Sequence, residues 1–388
     1  MSKFSNRNIP LHQKSYYSSF LISCIALLLA SCAAVQEPTI SSSKRSSAGS
    51  SGFVSPTAKF IPVSWGEIPG WQEDDLTAAW PAWQRSCQGL AKRNPSGINW
   101  KPACAATSQV NGNDTQSIRR YFERHMKVME IRHQSGPSAG GAQGLVTGYY
   151  EPYLNGSRQK GGIYQTPIHR YPDAWRKRKP SNLPTRAELM SSGQLNGQEI
   201  LWVDDAVAAA FMQIQGSGRV RMSDGKVIRL GFAGTNDHTF KSFAQWLLDQ
   251  REITRATATM QGIQSWAKKN PQRVQEMLNA NPRYVFFREL PVTPDVNVGP
   301  IGSLGVSLTP ERSIAVDTKA LPLGAPVFLA TTYPLSEKPL RRLVMAQDTG
   351  SAIIGAVRAD YYWGTGDQAG EYAGRMKQQG RMWILLPQ

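Results

Sequence analysis

The chain has 388 residues, with 44 Lys+Arg against 28 Asp+Glu and a formal net charge of +16, so it calls for an anionic partner. Its length allows two domains. Four cysteines and five histidines without ligand spacing speak against a metal site, and none is expected.

Taken in chain order, residues 16–32 read YYSSFLISCIALLLASC, with Lys3, Arg7 and Lys14 upstream. A basic flank and a short apolar core make an export signal, too short to span a membrane. Its end, Leu29-Ala30-Ser31-Cys32, is similar to a bacterial lipobox, cut before Cys32, which then carries the lipid. The competing reading is an ordinary secretory signal. The lipobox reading sets residues 1–31 aside and expects a periplasmic protein, lipid-anchored to the outer membrane. Nucleic acid is scarce there, so none is expected as a partner. Peptidoglycan, with carboxylates on its lactyl groups and stem peptides, suits the basic charge. Residues 32–58, with SSSKRSSAGSSG at the centre, read as a flexible tether. Cys24 leaves with the signal and Cys32 takes the lipid. Cys87 and Cys104 remain and are expected to pair in an oxidising compartment, worth roughly 3 kcal/mol by loop entropy.

Residues 71–91 carry helical spacing, with an interruption expected at Pro81. A second helix is expected over 114–133, capped by Asp114 or Thr115. After Gly136, short β-rich pieces follow: LVTGYYEPYL, IYQTPIHRY, ILWVDD, AAAFMQIQGSGRVRM and KVIRLGFAG, with Asp224-Gly225 marking a hairpin. Helical sequence returns over 239–280, and strand-like segments occupy the remainder. Many short strands separated by turn residues predict a barrel or sandwich rather than a parallel α/β sheet. Phosphate-loop and dinucleotide spacings are missing, as is a G-x-S-x-G elbow.

Candidate chemistry concentrates near the C-terminus. Asp348 lies in MAQDTGSAI and Asp360 in VRADYYWGTG, twelve residues apart, a length that suits a strand, a turn and a return. Such a hairpin would bring both carboxylates to one end of a barrel. Asp348 before Thr-Gly is also good turn chemistry, and the two readings are about equal from residues alone. Asp360, embedded among Ala, Tyr and Trp, would have a raised pKa when partly buried, as a general acid requires. Asp317 is a third, structural candidate. Tyr149 and Tyr150 in Gly-Tyr-Tyr-Glu-Pro point opposite ways on a strand, so one of them lines a sugar site while the other packs. Gln213, Gln215, Ser217 and Gly218 offer amides, a hydroxyl and open backbone to sugar groups, against the reading of a plain hairpin turn.

Six segments carry a resemblance: TGYYEP (147–152), FMQIQGSGRV (211–220), NPRYVFF (281–287), GPIGSLGVSLTPERSIAVD (299–317), PLGAPVFLAT (322–331) and the block from Ala346 to Leu385. Together, and in this order, they resemble the membrane-bound lytic murein transglycosylase A family. The resemblance implies a mainly β fold with several helices. In it a double-psi β-barrel domain (59–146 and 285–388) carries an inserted β-rich domain (147–284), with the glycan in the groove between them. It implies cleavage of the β-1,4 bond between N-acetylmuramic acid and N-acetylglucosamine without water, leaving a 1,6-anhydro end, and no cofactor. Asp360 matches the family's single acid–base aspartate and Asp348 a second aspartate that assists it. A monomer is expected. Two alternatives stand beside this: an inverting glycoside hydrolase with Asp348 as base, and a peptidoglycan-binding lipoprotein that does not cut.

Overall fold

A computed structural model of the chain describes residues 54–291 and 298–388. The expected signal, the Cys32 lipid site and the tether up to residue 53 lie outside the described residues.

The chain first runs through β1 (Ala58–Pro62), α1 (Leu76–Lys92), α2 (Lys101–Ala106), α3 (Thr115–His125), β2 (Met126–His133) and β3 (Gly144–Glu151). Asp75 caps α1 through the Thr77 N–H, and Asp114 caps α3 through those of Gln116 and Ser117. Pro81 does not interrupt α1. It removes one backbone donor, and burial of Leu76, Trp80 and Trp83 outweighs that loss. The expected helix over 114–133 stops at His125. From Met126 the burial alternates with period two, and the segment pairs antiparallel with β1 and the last strand, so sheet formation overrides helical spacing. Cys87 on α1 and Cys104 on α2 form a disulfide.

Next come β4 (Tyr153–Ser157), β5 (Thr166–His169), α4 (Asp173–Lys177), α5 (Arg186–Ser191), β6 (Glu199–Val203), α6 (Ala206–Gln215), β7 (Ser217–Met222) and β8 (Val227–Thr235). Helices α7 (Phe243–Asp249), α8 (Met260–Lys269) and α9 (Val274–Asn279) precede β9 (Val285–Leu290). The strands form one sheet in the order β5-β6-β4-β7-β8-β9. The β7–β8 hairpin turns at Asp224-Gly225, with Gly225 at φ +82°. The expected strand AAAFMQIQ is helix α6. Asp205 caps it, its apolar run is buried on two sides, and Gly216 ends it in the left-handed conformation at φ +82°.

The last stretch holds β10 (Ser313–Ala315), β11 (Pro326–Thr332), β12 (Pro339–Asp348), β13 (Arg358–Thr365), α10 (Asp367–Ala373) and β14 (Lys377–Pro387). Its strands pair in the order β1-β2-β14-β11-β12-β10-β13-β3, and an added β14–β3 pairing closes the sheet on itself. Six strands, β14, β11, β12, β10, β13 and β3, thus make a barrel without a free edge. Trp71, Trp83, Phe122, Phe328 and Trp383 fill the core between the barrel and α1–α3. Strand pairing moves both crossing points relative to the expected 147 and 284. Residues 144–151 belong to the barrel sheet and 285–290 to the second sheet.

Candidate active site

The two aspartates come together, but not through a hairpin. β10 lies between β12 and β13, parallel to the first and antiparallel to the second. Ala315 is the register partner of both Asp348 and Asp360. Their backbones therefore stand two strand spacings apart, about 10 Å. Both side chains open into a cavity of about 650 Å³.

The two carboxyls are held differently. Asp360 accepts a hydrogen bond from the Thr147 hydroxyl at 2.6 Å, across the parallel β3–β13 pair. Burial pushes its pKa up to about 6; the Thr147 bond and Arg358 pull the other way, and the Asp348 charge adds to the rise. Asp348 accepts from the Ser303 N–H and hydroxyl, both at 3.0 Å, and from the Tyr149 hydroxyl at 3.1 Å. Burial also raises its pKa, while these donors oppose the rise. Burial, and then the charges of Asp348 and Asp360, hold the Tyr149 hydroxyl well above its ordinary value, so it remains a donor. Asp317 is a turn residue, bonded to the N–H groups of Lys319 and Gly355.

The opposite wall comes from the second sheet and α6. Gln213, Gln215 and Ser217 line the cavity, as does Tyr149 from the barrel side. Two expected binding residues do not. Tyr150 is buried on the other face of β3, its ring 2.8 Å from where a side chain at Gly370 would begin and its hydroxyl on the Met260 sulfur. Gly218 is buried too, and a Cβ there would sit 2.4 Å from the Met212 sulfur, so close packing explains the glycine. Gln213 accepts a 2.5 Å bond from buried Arg186, and Gln215 accepts one of 3.1 Å from the Tyr150 N–H, tying α6 to the barrel. Sequence reasoning missed Thr147 and Ser303, whose roles depend on long-range pairing. It also missed Ile214, Phe232, Phe240 and Ile301, apolar side chains left exposed along the cavity.

A buried ion pair joins the two walls. Arg219 on β7 donates to Glu151 on β3 at 2.7 Å. Arg219 and Arg229 also donate to the Val298 carbonyl, at 2.9 and 3.2 Å, and Arg229 to that of Gly299 at 2.8 Å. These bonds fix the start of the loop that carries Ser303. Among the described residues, no group of three or more His, Cys, Asp or Glu side chains is arranged to hold a metal.

Residues 145–288 match the model of the MltA specific insert domain, and residues 312–386 that of the 3D domain. Membrane-bound lytic murein transglycosylase A of Escherichia coli K12 is 31% identical over 289 residues, 71% of this chain and 72% of that protein. The chain belongs to the membrane-bound lytic murein transglycosylase A family. Among solved structures, the lytic transglycosylase LtgG of Burkholderia pseudomallei is 48% identical, with a TM-score of 0.61 over 87% of this chain and 99% of that one. MltA of Neisseria gonorrhoeae is 34% identical, with a TM-score of 0.73 over 87% and 95%. The family fold, a barrel with an inserted β-rich domain and a groove between them, is the architecture found here. No helix among the described residues is long and apolar enough to cross a membrane.

Proposed function

We propose that this chain is a peptidoglycan lytic transglycosylase in which Asp360 acts first as acid and then as base. The observation that carries the reading is the setting of Asp360. It is a half-buried carboxyl with one hydrogen-bond donor, pushed to about 6, opening into a cavity of about 650 Å³. Such a group holds a proton near neutral pH and can give it up.

Protonated Asp360 donates to the glycosidic oxygen as the bond to the muramyl C1 breaks, and positive charge builds at C1. The resulting carboxylate takes the proton of the C6 hydroxyl, whose oxygen bonds to C1 and closes the 1,6-anhydro ring. The hydroxyl belongs to the same sugar, so its effective concentration is high and water is not needed. Asp348 supports the developing charge from its three-donor seat. Those donors touch both of its oxygens and favour its charged form. Tyr149, Gln213, Gln215 and Ser217 are the sugar-contacting set.

The rest of the reading follows the sequence. The barrel domain holds the acid–base Asp360 and its supporting Asp348, and the insert holds the glycan. Cys32 carries a lipid that anchors a monomer at the outer membrane, facing the periplasm, with the signal removed before it. Relatives named membrane-bound support an envelope setting. Purified sacculi incubated with the protein provide the test. Anhydro-muramyl ends are expected; reducing ends would establish hydrolysis, and intact sacculi a binding protein.

A further inference from the structure

Charge is segregated across the groove. Its acidic side chains are Asp348 and Asp360, on the barrel wall; its basic ones are Arg186, Arg283 and Arg288, on the opposite wall. Arg186 is spent on structure, donating to Gln213 and to the carbonyls of Asn281 and Arg283. Arg283 gives one bond to the His238 carbonyl and feels the charge of Asp237, which is also paired with Lys179. Arg288 is exposed and has no hydrogen-bond or ion-pair partner among the described residues. Across the ladder it faces Gly231, which offers no side chain to pair with it.

Cations do nothing for the bond-breaking step, because the charge that develops at C1 is itself positive. Nor does a neutral sugar ring need them. The free Arg288 guanidinium, with Arg283 beside it, finds its best match in a planar anion rather than in a neutral sugar. Resting on the peptidoglycan reading above, we propose that Arg283 and Arg288 form a carboxylate-recognition site that makes the groove selective for glycan bearing acidic substituents. The carboxylate belongs either to a free lactyl group or to a stem peptide. Both present the same planar anion, and guanidinium engages it bidentately. The strongly basic chain adds long-range attraction of the same sign.

Binding is measured with the full chain in detergent carrying Asp360→Asn, so that ligands survive. Three ligands are compared: chitohexaose, which is neutral; peptide-free glycan strands, with lactyl carboxylates; and strands that keep their stem peptides. Arg288→Gln should weaken binding of a carboxylate-bearing ligand about threefold, and the Arg283→Gln/Arg288→Gln double variant about tenfold, as expected for partly exposed ion pairs. Chitohexaose affinity should stay within about twofold. Raising salt from about 0.05 to about 0.5 M should shrink the difference between parent and variant. A loss confined to peptide-free strands assigns the free lactyl group, a loss confined to peptide-bearing strands assigns the stem peptide, and a loss on both means that either carboxylate is taken. Unchanged affinity of Arg288→Gln for both acidic ligands, or an equal fall for chitohexaose, overturns the proposal. Arg288 is exposed and unpaired, so this single variant keeps its fold even if the Arg283 change does not. Binding does not depend on turnover, so this result stands apart from the sacculus products that test the transglycosylase reading.

Discussion

The two walls of the groove are built on opposite plans. The barrel wall is over-determined. Asp348 has three donors from two segments, Asp360 has Thr147 from the neighbouring strand, and the ring of strands behind them has no edge at which to give. The insert wall is adaptable. It presents amides, a hydroxyl, exposed apolar side chains and the exposed Arg288 along a helix end and an open sheet. Proton transfer demands fixed geometry and a tuned pKa, whereas a polymer that must slide or bind in more than one register needs a surface of broad, shallow contacts. On the proposed reading, the chain assigns each requirement to a separate sheet.

The sharpest break in that comparison is Asp360→Asn. Turnover of sacculi should fall at least about 100-fold, because the proton donor is lost while Asn can still accept from Thr147. Near-normal product formation by the folded variant would remove Asp360 from the chemistry. The same variant tests the cost of the barrel wall's burial. Asp360 is raised from 3.8 to about 6 in the fold, so the folded state holds its proton more tightly than the unfolded chain does. Stability from this group is therefore full below about pH 4 and declines as pH rises through about 6. Asn does not ionise, so the variant should melt higher than the parent at pH 8, by up to about 3 kcal/mol, and equally at pH 4. A parent that melts higher at pH 8 would mean the carboxylate is stabilised in the fold.

Asp348→Asn should cost less, about tenfold, or roughly 1.4 kcal/mol in the barrier. It also removes a charge that raises the Asp360 pKa. The parent's kcat/KM should fall as pH climbs through about 6, since the acid must be protonated, and in Asp348→Asn this limb should move to lower pH. Complete loss in Asp348→Asn, equal to that in Asp360→Asn, would favour hydrolysis with Asp348 as base.

On the insert wall the effects should be smaller and should fall on KM. Ser217→Ala should raise KM about threefold with kcat kept, the mark of uniform binding. Gln215→Ala should do the same and also lower the melting temperature, because Gln215 holds the Tyr150 N–H of the barrel. A Ser217→Ala protein with a lower melting point and unchanged KM would make the α6–β7 turn scaffold alone.

How much of this was readable in the sequence follows the same division. Local signals were plain: the Asp114 cap, the Asp224-Gly225 hairpin, and an aspartate set among aromatic residues. What failed was whatever long-range pairing decides. Residues 126–133 have apolar spacing that also fits a helix, and only β1 and β14 on either side make them a strand. AVAAAF has no period to read, and Gly216 could equally mark a hairpin or a helix end. The twelve-residue gap between Asp348 and Asp360 looks like a hairpin until the three residues of β10 are laid between the strands from a point far upstream. For the same reason Thr147 and Ser303 carry no local mark of their contact with a carboxylate.

The position of β14 in the barrel has a consequence for when this activity can exist. The strand formed by the final residues pairs with β2, β3 and β11 at once, and it completes the ring in which Asp360 sits. A chain emerging from its N-terminus can fold its helices, and even hairpins of the insert, while those three strands still lack β14 beside them. A chain without β14 therefore carries the insert wall but not the closed ring that holds Asp360. On the proposed reading, an enzyme that cuts the wall of its own cell gains its acid only when β14 closes the ring around it.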